Sequence, residues 1–116
     1  MAVNRLPLAD DQAPEPHLAA LLEEQGIDAV IISSAMDPTS IRSDPLPHIA
    51  LVDISFMPEA DLKRCVERCS RLGLPVILLV PEARIADLDV DLGVNDFVVS
   101  PPNARELVTR ARLVLL

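Results

Sequence analysis

The chain has 116 residues, half of them apolar, and 18 acids against 10 lysines and arginines give a formal net charge of −8. That is long enough for one domain with a packed core, too apolar for disorder, and too acidic to bind nucleic-acid phosphates directly. Two Phe with no Tyr or Trp exclude aromatic stacking platforms, and three glycines against eleven prolines leave no glycine-rich phosphate cradle.

In chain order, Val3 to Ala9 reads as a weak first strand, because Pro7 lacks the N–H that a central strand needs. Asp10, Asp11 and Gln12 follow as a loop. His17 to Gln25 is helical, with Leu18, Leu21 and Leu22 on one face and Gly26 as its stop. Ala29 to Ile32 is a short, β-branched buried strand. Ser33 to His48 is irregular, since Pro38, Pro45 and Pro47 leave room for a short helix around Ser40 to Ser43. Ile49 to Ile54 is the next buried strand and carries Asp53 near its carboxyl end. Glu59 to Leu72 is a helix with Leu62, Cys65, Val66, Cys69 and Leu72 on one face, ended by Gly73. Val76 to Val80 is a fourth buried strand, Arg84 to Leu92 a short helical segment, and Phe97 to Val99 a fifth strand. Asn103 caps a last helix over Glu106 to Leu116.

Strands that are apolar on both faces and alternate with helices predict a parallel sheet covered on both sides. Five such units match a flavodoxin-like, doubly wound α/β fold of strand order 2-1-3-4-5 in a single domain spanning residues 1–116. No apolar run reaches the length of a membrane span and no signal-like segment follows Met1, so a cytoplasmic protein without membrane contact is expected. Cys65 and Cys69 lie within a helical pattern and read as two small apolar core residues rather than a metal or redox pair. His17 and His48 read as lone surface residues.

The stretch Leu92-Gly93-Val94-Asn95-Asp96-Phe97-Val98-Val99-Ser100-Pro101, with the following Glu106-Leu107-Val108-Thr109-Arg110, resembles the last strand and helix of a two-component receiver domain. The family text there is G-A-x-D-[YF]-[LV]-x-K-P and E-L-x-x-R. The resemblance extends to Asp10 and Asp11 after the first strand and to Asp53 on the third. In the family these positions bind Mg²⁺, and the central aspartate accepts a phosphoryl group. It implies Asp53 as the phospho-acceptor position, no certain cofactor but Mg²⁺ as a candidate, and the Ser55 carbonyl as a metal ligand. The plain alternatives are that Asp10 and Asp11 solvate a loop and that Asp53 bonds its neighbouring loop.

Departures from the family text carry as much weight. The strand-four hydroxyl residue is Val80, the strand-five lysine is Ser100, and the proline after the acceptor, Pro58, falls one position late. Losing a cation and a hydroxyl removes stabilisation where transferred charge develops, so weak or absent phosphorylation is expected. Phe97 takes the family's mobile aromatic position and reads as a fixed core residue. The text between strands four and five is similar to atypical, orphan OmpR-type transcription regulators. That likeness implies a homodimer through Asp96, Glu106 and Arg110, with Leu88, Leu107 or Val114 at its dry centre and Arg84 as a further basic partner across the two-fold. Ordinary surface charge is the alternative. The resemblance also implies a cis Ser100–Pro101 bond.

The function expected is that of a non-enzymatic regulatory domain, the amino-terminal part of a longer protein, controlling an attached output by dimerising. A winged-helix DNA-binding output is the first reading; a diguanylate cyclase or histidine kinase is the second. A small ligand-binding domain on the same fold is disfavoured by the missing glycine-rich loop and Ser–His–Asp set.

Overall fold

The computed structural model describes residues 16–34, 41 and 44–116. Within them the chain runs α1 (Pro16–Glu24), β1 (Ala29–Ile32), β2 (Ile49–Asp53), α2 (Glu59–Arg71), β3 (Val76–Pro81), a 3-10 helix (Glu82–Asp87), β4 (Asp96–Ser100) and α3 (Ala104–Leu115). The strand expected over Val3 to Ala9 lies outside the described residues. So does the short helix expected around Ser40 to Ser43, apart from Ile41, which is buried.

The four described strands form one parallel sheet in the order β1-β2-β3-β4. Ala29 to Ile32 pair with Ile49 to Val52, Ala50 to Asp53 with Val76 to Leu79, and Ile77 to Pro81 with Asp96 to Ser100. The α/β, flavodoxin-like reading holds. The strand order 2-1-3-4-5 needs a correction: the expected second and third strands, β1 and β2, are hydrogen-bonded neighbours, so no strand lies between them. Pro7 would break a ladder in a central slot, whereas Ala29 to Ile32 is proline-free and rich in β-branched residues, so it suits the place beside β2.

Alternation along the strands builds two cores. On one face Ala50, Val52, Val76, Leu78 and Val80 meet Leu62, Cys65, Val66 and Cys69 of α2. On the other, Ile49, Leu51, Ile77, Leu79 and Val98 meet Leu18 and Leu22 of α1 and Leu107 and Ala111 of α3. The sheet is therefore the middle layer of three. Helix α2 carries Glu59 and Asp61 in its first turn and Arg68 and Arg71 in its last, the arrangement that the helix dipole favours. It stops at Gly73, whose φ of 70° is closed to most side chains. Helix α3 begins where expected, with the Asn103 side chain accepting from the Glu106 N–H at 3.1 Å.

The segment expected as a helix over Arg84 to Leu92 is the main departure. A 3-10 helix covers Glu82–Asp87, and Leu88 is already extended, with ψ of 135°. The Asp89 carboxylate accepts from the Asp91 N–H at 2.9 Å. Such local side-chain bonds compete with helix formation, and Asp residues alternating with Leu and Val reinforce the break. Cover on the α2 face consequently thins out before β4.

Candidate functional site

Asp53 is the last residue of β2 and is half-buried at the carboxyl end of the strand. Its Oδ1 accepts from the Ser55 N–H at 2.9 Å, so the carboxylate closes the turn that follows its own strand. That is the structural role read as the alternative in the sequence. The turn is closed again by the Met57 N–H donating to the Ile54 carbonyl at 3.1 Å. Beside Asp53 in the sheet, β3 ends in Val80, which is fully buried in the α2-face core. The last rung of the next ladder pairs Pro81 with Ser100. The Ser100–Pro101 bond is cis, as expected.

Asp10 and Asp11 lie outside the described residues, so the shared cleft of three acids is not described. Among the described residues no group of three His, Cys, Asp or Glu could hold a metal ion. Among the described residues, the donor set around Asp53 is incomplete for a divalent cation. One of its oxygens is engaged by Ser55, and Arg84 places a guanidinium in the loop from which the Ser55 carbonyl would have to reach a metal. Arg84 Nη1 donates to the Ile54 carbonyl and, at 3.1 Å, to the Met57 carbonyl. Arg84, expected across a dimer axis, is thus engaged inside its own chain. Its role went unread in the sequence because its partners lie 30 and 27 residues away and are backbone atoms, which leave no pattern of residue types.

The three expected interface charges do come together, but within one chain. Arg110 Nη1 lies 3.0 and 3.2 Å from the two carboxylate oxygens of Asp96. Its Nε and Nη2 each lie 3.1 Å from Glu106 Oε2. Donating to Asp96, and then to Glu106, holds the Arg110 guanidinium above its ordinary pKa, so it is a permanent cation.

Two expectations about apolar residues are overturned. Phe97 is 37% exposed and Val99 42% exposed, not packed core. By alternation both turn to the α2 face of the sheet, where the shortened 3-10 segment leaves β4 without cover. Leu107 is fully buried against the opposite face and cannot lie at an interface, while Leu88 and Val114 pack partly against the two cores. The most exposed large apolar residue of α3 is Leu113, at 63%. It shares a helix side with Glu106 and Arg110, three to four residues apart.

The remaining candidates behave as plain structure. Cys65 and Cys69 are free and buried in the α2 core, as expected, and their mutual hydrogen bond together with burial pushes the Cys65 thiol far up. His48 is exposed and its Nδ1 accepts from the Asp28 N–H at 2.9 Å. Asn95, unremarked in the sequence, ties β3 to the loop before β4: its Oδ1 accepts from the Val76 N–H at 2.9 Å, and its own N–H donates to the Val76 carbonyl at 3.0 Å. A cleft of about 280 Å³ beside it is lined by Val66, Ser70, Leu74 and Gly93 at the amino ends of the strands, away from Asp53.

No protein-family model matches the chain. It is 28% identical over 110 residues to the sensory transduction protein RegX3 of Mycolicibacterium smegmatis, covering 91% of this chain and 47% of that one. The RegX3 protein of Mycobacterium tuberculosis matches equally well, with 48% of its length covered. The chain thus spans about half the length of these curated relatives. Among solved structures, the signal receiver domain of a histidine kinase from Syntrophus aciditrophicus superposes with a TM-score of 0.65 at 24% identity, over 91% of this chain and 83% of that one. A putative pilus assembly-related protein from Burkholderia pseudomallei gives 0.62 at 27% identity, over 86% and 79%.

A doubly covered parallel sheet with an aspartate ending the strand beside its centre is, with these likenesses, the fold of a receiver domain. The chain is similar in sequence to the sensory transduction protein RegX3 and in fold to a signal receiver domain. No helix among the described residues is long and apolar enough to cross a membrane.

Proposed function

We propose that this is a receiver domain that regulates an attached output without robust phosphotransfer, by pairing with a second copy through β4 and α3. One observation carries the reading. The shortened 3-10 segment leaves Phe97 and Val99 of β4 exposed on the α2 side of the last described strand, while the Asp96–Arg110–Glu106 cluster and Leu113 stand on its α3 side. An apolar patch with charges across the strand has the make-up of an interface core with a polar rim. A two-fold contact is the commonest way for identical chains to meet.

The acceptor cleft supports the phosphorylation-independent part. Val80 is a buried apolar residue in the hydroxyl position, Ser100 replaces the family's lysine, and Asp53 is already bonded to its own turn. A cytoplasmic location and a winged-helix output follow from the RegX3 likeness as proposals. A diguanylate cyclase or histidine kinase output remains the second reading by resemblance alone.

Sedimentation of the chain across a concentration series tests the assembly. A dimer that dissociates on Phe97→Ser with Val99→Thr, while the circular dichroism spectrum is kept, is the expected result. A wild-type monomer at high micromolar concentration would refute it.

A further inference from the structure

The loop after Asp53 is held from outside by one side chain. Arg84, on the 3-10 helix after β3, donates from Nη1 to the Ile54 carbonyl and to the Met57 carbonyl. Ile54 and Met57 are both buried, so their carbonyls have little access to water as a substitute partner. Within the loop the Met57 N–H donates to Ile54 and the Ser55 N–H to Asp53 Oδ1. Asp53, Ile54, Ser55 and Met57 therefore form one hydrogen-bonded unit, with a guanidinium as its external brace.

In receivers that use a metal, a divalent cation neutralises the acids and draws in the carbonyl two residues after the acceptor. Here a fixed positive charge already satisfies the carbonyls on both sides of Ser55. A second cation in the same loop would be repelled, and its carbonyl ligand would have to leave a braced turn. We propose that Arg84 is the positioning residue of the Asp53 loop, a built-in cation that keeps Ile54 to Met57 in one arrangement with no divalent ion. Its metal-independence rests on the reading of the cleft given above; the brace itself rests on the two hydrogen bonds.

Amide hydrogen exchange of the 116-residue chain, followed by NMR, tests this. Wild type, Arg84→Gln and Arg84→Lys are compared in EDTA and in millimolar Mg²⁺. Wild-type exchange at Ser55 and Met57 should be the same in both solutions. Arg84→Gln should speed it by about tenfold or more, because charge-assisted bonds to buried carbonyls are lost, while the amides of α2 keep their protection. Arg84→Lys should recover part of the protection, which a purely space-filling role would not require. Exchange in Arg84→Gln within about twofold of wild type would overturn the proposal. So would a marked slowing of the wild-type loop by Mg²⁺, a measurement that stands even if the glutamine variant fails to fold. Phosphorylation of Asp53 is read separately by mass spectrometry and counts against the functional reading, not against the brace.

Discussion

Arg110 reaches from helix α3 to Asp96, the first residue of β4, with its Nη1 3.0 and 3.2 Å from the two carboxylate oxygens. The pair ties helix to strand across 14 residues within one chain. Both side chains keep some exposure, 39% and 26%, so the pair remains open to solvent on one side.

Because these charges are satisfied internally, they should frame the proposed contact rather than bridge it. Added salt should weaken the dimer only slightly, since the apolar centre supplies most of the binding. Arg110→Glu should nonetheless shift the chain toward monomer, by gathering three acids at the rim of each copy. Sedimentation gives the test, and a variant that associates as well as wild type would mean that another surface is used.

The acceptor cleft makes a chemical prediction. Acetyl phosphate or beryllofluoride with Mg²⁺ should give little stable modification at Asp53, because Val80 and Ser100 stand where the family's hydroxyl and lysine would neutralise the transferred oxygens. Replacing Val80→Thr and Ser100→Lys together should raise labelling above wild type. Stoichiometric labelling of the wild type by mass spectrometry, abolished by Asp53→Asn, would show that the cleft works as it stands.

Stability should separate the two sides of α3. Leu107 fills the core, so Leu107→Ala should cost about 2–5 kcal/mol in urea unfolding. Leu113→Ala, on the exposed side, should change stability by less than about 0.5 kcal/mol. Equal costs would contradict this orientation of the helix.

The cysteine pair predicts an alkaline response. The Cys65 pKa is raised above its ordinary value of 9.0, first by the hydrogen bond with Cys69 and then by burial, while the same bond lowers the Cys69 thiol and partly offsets the effect. The unfolded thiol ionises at the ordinary value while the folded one stays protonated. The contribution to stability is therefore complete below pH 9.0 and declines as pH rises toward the folded pKa. In Cys65→Ala this part of the alkaline decline should vanish from the denaturation midpoint measured against pH. An identical slope in wild type and variant would refute it. Thiol reagents should label neither cysteine until the chain opens.

Much of the frame was legible because strong local patterns had no competitor. The runs Ile49 to Asp53 and Val76 to Val80 are unbroken and apolar, and α2 shows a clean helical stripe with Gly73 at its end. The cap at Asn103 was equally local. What escaped was set by partners distant in sequence. The direct pairing of β1 with β2 is a choice between two strands for one slot, which neither strand's own pattern decides. The helical reading of Arg84 to Leu92 counted apolar residues but not the aspartates whose side chains favour turns. The fixed-core reading of Phe97, taken from its place in the family text and from Val80, failed because its side of β4 is exposed. At the site, the residue types at Asp53, Val80 and Ser100 could be read directly. The engagement of Arg84 with backbone carbonyls could not, because a carbonyl carries no residue identity.

Strand β4 has a further consequence for the behaviour of the free chain. It lies at the end of the described sheet and shows two apolar side chains, the make-up of a segment that recruits other strands into fibrils. Its length is five residues, with Asp96 at one end and Pro101 and Pro102 directly after the other. A buried-charge penalty guards one end and two missing donors guard the other, so the ladder cannot lengthen in either direction. The same surface that invites one partner is thereby kept from templating many, and concentrated solutions should give discrete species rather than amyloid.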